Sequence, residues 1–167
     1  LGVALVTDVP WVGSAAIPDG DVTGMSVSVD VSTVGSVAEV TLSIDLSHTW
    51  IGDLVIELES PVGTTVRLHD RSGGSDDDLV GTWGTTLTVD GPGTLADFLG
   101  ESPVGTWTLR ISDRVSGDTG TLNGWTPHLV PPAPPVATAH PPRARTTPDA
   151  AAPNPSNPRT SIPSSFG

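Results

Sequence analysis

Seven short runs within the first 130 residues alternate apolar and polar side chains. "MSVSVDV" sets Met25, Val27, Val29 and Val31 on one face, and "VTLSIDL" does the same with Val40, Leu42, Ile44 and Leu46. "LVIEL" turns Leu54, Ile56 and Leu58 inward and Val55 and Glu57 outward. "TVRL" offers Val66 and Leu68, "TTLTV" offers Leu87 and Val89, and "WTLRI" offers Trp107, Leu109 and Ile111. The last run, "GTLNGWTPHL", contributes Trp125 and Leu129. A period of two marks strands buried on one face. The runs are separated by "PDGD", "SPVGT", "RSGG", "DGPG", "ESPVGT" and "SGDTG", all turn chemistry. Strands this short at this spacing predict an all-β sandwich or jelly roll. "TLADFLG" is the one helical possibility, a single turn ending on Gly100.

The pattern stops near Val130, where the composition changes. Eleven of the seventeen prolines lie beyond it, among alanine, serine and threonine with few large apolar side chains. Such a segment buries too little surface to offset its ordering entropy, so residues 131–167 are expected to be a disordered tail or linker. Its PxxP at Pro132 to Pro135 reads as spacer rather than as an SH3 ligand. The expected organisation is a lead-in over 1–16, a sandwich over 17–130 and the tail over 131–167.

Charge narrows the function. Residues 1–130 carry four arginines against eighteen carboxylates, a net charge of −14, within a chain of net −12 and pI near 4.3. That balance argues against nucleic acid and anionic membranes as partners. No apolar run is long enough to span a bilayer. No basic stretch followed by an apolar run opens the chain, so no signal peptide is expected there. With no cysteine, thiol catalysis, disulfides and cysteine-based zinc sites are excluded.

The stretch "HTWIGDL", His48 to Leu54, concentrates the reactive side chains. A Ser–His–Asp set is conceivable from His48, Asp53 and the many serines, but no G-x-S-x-G elbow is present. A histidine in so tight a turn is expected to hydrogen-bond backbone, and His128 is expected at a solvated, outward strand position. No paired-histidine spacing points to a transition metal. The aspartates point elsewhere. Asp45 and Asp53 flank the turn and both read as outward. If the strands ending at Leu46 and starting at Leu54 form a hairpin, the two carboxylates meet at its mouth. Asp76, Asp77 and Asp78 crowd "GGSDDDL", and Asp113 and Asp118 face each other across "SDRVSGDTG". An oxygen-only ligand set suits Ca²⁺. The alternative is Asx-turns on an acidic surface. Trp107 and Trp125 sit at inward positions and read as core anchors. Trp50 and Trp83 read as loop residues open to a ligand or partner.

The same residues resemble a known family. "GDLVIELESPVGT" carries Gly52, Asp53, Leu54, Ile56, Leu58, Ser60, Pro61, Gly63 and Thr64, and "GTWTLRI…GTL" carries Gly105, Trp107, Leu109, Ile111, Gly120 and Leu122. This pattern, over roughly residues 17–130, resembles the P domain (P/Homo B domain) of kexin- and furin-like proprotein convertases and of secreted bacterial subtilisin-like proteases. The resemblance implies a galactose-binding-like, jelly-roll β-sandwich, extracellular and monomeric. It would be non-catalytic and stand in cis with a subtilisin-like peptidase domain that it stabilises or regulates. It also implies that "HTWIGDL" is a structural corner: Gly52 permits the turn, Asp53 ties loops or a cation, and Trp50 is a capping or partner-facing aromatic. "DDDLVGTWGTTLTVD" and "DVPWVGSAAIPDG" depart from the family pattern. A free-standing binding module that stacks a carbohydrate on its loop tryptophans is the competing reading.

Overall fold

The alternating runs become strands of two antiparallel sheets. In the computed structural model, which describes residues 5–135, nine strands follow one another: β1 Thr7–Asp8, β2 Trp11–Ile17, β3 Met25–Val31, β4 Glu39–His48, β5 Leu54–Glu59, β6 Thr65–Asp70, β7 Leu79–Trp83, β8 Gly105–Asp113 and β9 Gly120–Val130. One sheet has the order β1-β9-β4-β7, with β2 also pairing β9, and the other has the order β3-β8-β5-β6. From β3 onward the chain crosses repeatedly between the sheets, the connectivity of a jelly-roll sandwich. A 3₁₀ turn over Leu95–Phe98 stands where the single helical turn was expected, closed by a capping box between Thr94 and Asp97.

The inward rows supply the core. Leu42, Leu46, Leu54, Ile56, Leu58, Leu68, Trp107 and Leu109 are wholly buried, and Trp125 almost so. Both tryptophans expected to anchor the core therefore lie in it. Trp107 meets Phe98 edge to face at 5.3 Å and donates its indole N–H to Pro103 O at 2.9 Å. Apolar packing and a satisfied polar edge hold it together.

Several expectations change. The lead-in before residue 17 contributes β1 and β2, both paired with β9. Leu87 makes only an isolated bridge to Trp83, so "TTLTV" forms no ladder, and Leu87 and Val89 pack against the core rim. Val55, outward by alternation, is buried, and it lines a hollow together with Arg67, Asp70, Arg71 and Arg114. Strand β4 does not form a hairpin with β5. It pairs β7 and β9, whereas β5 pairs β6 and β8 in the opposite sheet. Residues 136–167, most of the expected tail, lie outside the described residues.

The hexapeptide ESPVGT occurs twice, at Glu59–Thr64 and Glu101–Thr106. The two copies meet: Thr64 Oγ1 donates to Glu101, and a methyl group at Gly105 would lie 2.7 Å from Pro61 Cβ.

Candidate functional site

The corner begins where β4 ends. His48 is the last residue of that strand, and Ile51–Asp53 form a 3₁₀ turn that lifts the chain into the second sheet as β5. Two loops clamp this turn through its backbone. Ile51 N donates to Asp76 O and Gly52 N to Gly74 O, while Asp78 N donates to His48 O. From the other side, Arg114 N donates to Asp53 O and Thr49 N to Thr119 O. Arg71 Nε and the His69 imidazole reach the turn as well, at Gly52 O and Ile51 O, 3.2 and 2.9 Å away. Gly52 is required here by proximity rather than by a left-handed backbone. A Cβ on it would lie 2.7 Å from Gly74 O and 2.8 Å from Gly74 Cα.

His48 is wired completely. Its Nδ1 accepts from the backbone N–H of Trp50 at 3.1 Å. A peptide N–H can only donate, so the proton sits on Nε2, which donates to Asp113 Oδ2 at 3.3 Å. Asp113 is fully buried, and its Oδ1 accepts from Val115 N at 3.0 Å. Gly120 leaves room for the ring, since a side chain there would overlap it. In a catalytic triad the histidine must offer a free nitrogen to a nucleophile. Here both nitrogens are used and the residue is 2% exposed. The expected backbone bond is present, and the corner is a joint.

The aspartates separate into groups. Asp45 lies on the outer face of β4, where Asn123 Nδ2 donates to it at 3.0 Å, in the sheet opposite to that of β5. The shared hairpin mouth with Asp53 does not exist, because the chain changes sheets between them. Asp78 accepts from His48 N at 3.0 Å, and Asp118 from Thr49 Oγ1 at 2.7 Å. Asp76 and Asp77 ride the clamping loop. Asp53, read as outward, is only 6% exposed. Its carboxyl is pushed above the ordinary range, first by burial and then by Asp113 and Asp118. Arg71 and His48 offset this in part, and no hydrogen bond compensates the burial. Among the described residues no three His, Asp or Glu side chains converge as a metal cage. Oxygen donors around a buried, unpaired Asp53 nonetheless have the hard chemistry that a dication prefers.

The aromatic candidates also part company. Trp50, at the N-terminal side of the turn, is 43% exposed, whereas Trp83 closes β7 and is 1% exposed. Trp83 is therefore a core residue and not a loop platform. His128 is outward on β9 with its side chain 27% exposed. The His48–Asp113 contact spans 65 positions of sequence, and no local signal announces it.

Comparison with known proteins places this architecture. The proprotein convertase P-domain family matches residues 37–129. Leupeptin-inactivating enzyme 1 of Streptomyces exfoliatus is 38% identical over 111 residues, covering 65% of this chain and 23% of that protein. A calcium-dependent protease of Trichormus variabilis is 34% identical over 116 residues, 68% of this chain and 17% of its own length. The chain thus spans less than a quarter of these relatives. The serine protease of Aeromonas sobria, solved with its chaperone, has the same fold at a TM-score of 0.58 and 23% identity, over 77% of this chain and 27% of that one. The chain belongs to the proprotein convertase P-domain family.

Proposed function

We propose that this chain is the non-catalytic P domain of a secreted serine endopeptidase, carried in the same polypeptide as a subtilisin-like catalytic domain that it stabilises or regulates. The observation that carries the reading is one of proportion. The whole sandwich corresponds to a small fraction of relatives that are named as calcium-dependent proteases, and its one turn rich in catalytic residue types spends both His48 nitrogens on holding the fold. The unit comprising the sandwich over 17–130, with β1 and β2 laid on its edge, is the accessory domain. Trp50 is its partner-facing aromatic, since it is exposed on a corner whose backbone is fixed by two loops. Burial of Trp83 weakens the competing carbohydrate platform, which would be left with Trp50 alone.

Calcium belongs to the same reading. Asp53 would be one ligand of the ion, which would offset the repulsion from Asp113 and Asp118 that raises its pKa, although these three carboxylates do not converge as a cage. Asp76, Asp77 and Asp78 stand on the adjacent loop, while Asp45 drops out of the set.

The test uses the parent protease with and without the sandwich, and with Trp50→Ala. Loss of the sandwich should shorten the half-life for thermal inactivation of peptidase activity. The Trp50 variant should do so partially while leaving the domain's own melting unchanged. Unaltered half-lives and kinetics in both variants would discard the accessory role.

A further inference from the structure

The outer face of the first sheet holds a second Asp–His contact. Asp8 on β1, His128 on β9, Ser43 on β4 and Thr82 on β7 stand in a line across four neighbouring strands. Asp8 Oδ1 lies 2.7 Å from His128 Nδ1, and His128 Nε2 lies 2.7 Å from Ser43 Oγ. Ser43 Oγ is in turn 2.8 Å from Thr82 Oγ1. An ionised carboxylate only accepts, so it fixes the proton of the neutral ring on Nδ1. The lone pair of Nε2 then has to take the Ser43 hydroxyl proton, and the Thr82 hydroxyl donates into Ser43 Oγ. All hydrogen bonds point the same way, the order in which a serine is activated as a nucleophile.

We infer that Ser43 is a covalent modification site for activated acyl and phosphonyl compounds. In the reaction with a fluorophosphonate, Ser43 Oγ forms a bond to phosphorus while the P–F bond breaks and fluoride leaves. The hydroxyl proton passes to His128 Nε2 and from there to water. A cleft of about 260 Å³ beside Ser43, lined by Trp11, Val12, Asp45, Asn123 and Thr126, accommodates the organic group. The reaction stops after one event. β4 is paired on both flanks at Ser43, to Thr126 and to Thr82, so its amides serve the ladder and not an oxyanion. Without such donors only His128 is left to assist hydrolysis of an acyl or phosphonyl adduct, so the adduct outlasts the labelling reaction.

The protein supplies its own control. Ser28, on the exposed face of the other sheet, is hydrogen-bonded to the Thr108 hydroxyl at 3.0 Å and touches no imidazole. The 167-residue chain is treated with a fluorophosphonate probe and with p-nitrophenyl acetate, and the labelled residue and rate are read by peptide mass spectrometry. Ser43 should take up one equivalent, with no labelling of Ser28 on the same timescale. His128→Gln should slow labelling by about 100-fold, within the range for general base assistance, and Asp8→Asn by at least roughly tenfold. Ser43→Ala should abolish it. All three positions are at least partly exposed, and unchanged near-ultraviolet circular dichroism would show that the tryptophan core is intact. Labelling of Ser43 no faster than Ser28 would overturn the inference, as would a rate unaffected by either His128→Gln or Asp8→Asn. Release of many equivalents of nitrophenol per chain would overturn the single-event chemistry.

Discussion

His48 and His128 each meet an aspartate, but through opposite ring nitrogens. At the corner, Asp113 receives Nε2 while a peptide N–H occupies Nδ1. On the open sheet, Asp8 receives Nδ1 and leaves Nε2 facing Ser43. Burial differs as sharply: the side chains of the first pair are 0% and 1% exposed, those of the second 27% and 56%. The same two residue types thus make a staple in one place and a relay in the other. What separates them is which partner has no freedom to choose its role. A peptide N–H must donate and a carboxylate must accept, and each dictates the tautomer of the ring beside it.

This contrast can be broken by mutation, and the largest effect belongs to the buried pair. His48→Ala leaves Asp113 charged, buried and short of a donor beside a new void, and should cost about 3–5 kcal/mol in chemical denaturation. A cost below about 1 kcal/mol would mean that the corner does not depend on the imidazole. Calcium comes next. At a hundredfold excess over Kd a ligand specific to the folded state contributes about 2.7 kcal/mol, roughly 10 °C in melting for a domain of this size. That shift between chelator and Ca²⁺ should vanish in Asp53→Asn. In chelator the same variant should be as stable as the parent or more so. Asp53 has a folded-state pKa above its unfolded value of 3.8, so the folded chain binds this proton more tightly. The stability it lends is present at low pH and lost as pH rises through that window. Above the window the carboxylate only costs. Melting of the metal-free chain in which Asp53→Asn is the less stable form would reverse that sign.

Gly52→Ala should cost about 2 kcal/mol, as overpacking does, because the clamping loop must retreat from the new methyl group. The smallest effect is expected on the open face. His128→Gln and Asp8→Asn should each change unfolding free energy by about 0.5 kcal/mol or less, as exposed pairs do. Measured side by side, His48→Ala and His128→Gln then separate a histidine that holds the fold from one that the fold merely carries.

Much of this molecule could be read in its sequence, because the inward rows of both sheets are nearly pure Val, Leu, Ile and Trp. The alternation in "VTLSIDL" and "WTLRI" is the core itself. It does not encode which sheet a strand joins. The five residues between His48 and Leu54 suit a tight hairpin, and only the 3₁₀ turn at Ile51–Asp53, held by loops twenty and more positions away, sends the chain across instead. Trp83 was obscured by a neighbour. Leu79 and Trp83 are buried in β7 with Gly81 midway between them, which breaks the apolar row. Gly81 is there because Thr86 and Leu87 pack where its side chain would be, 2.8 and 2.9 Å from the position a methyl group would take. Val55 is buried although it points outward, in a hollow shared with Arg67, Asp70, Arg71 and Arg114 that a period of two does not register. At the corner the motif residues stood out, but their partners Asp113 and Asp118 lie more than sixty positions away.

The pairing of the first strands with the last has a mechanical consequence. Thr7 stands opposite Leu129 and Asp8 opposite His128, so the chain enters and leaves the sandwich side by side. Tension applied through residues 5 and 130 therefore pulls apart the open end of the β1–β9 ladder, loading its rungs one after another. The domain unzips from that edge instead of resisting in shear, and under load it yields there first, with the opposite sheet still closed behind it.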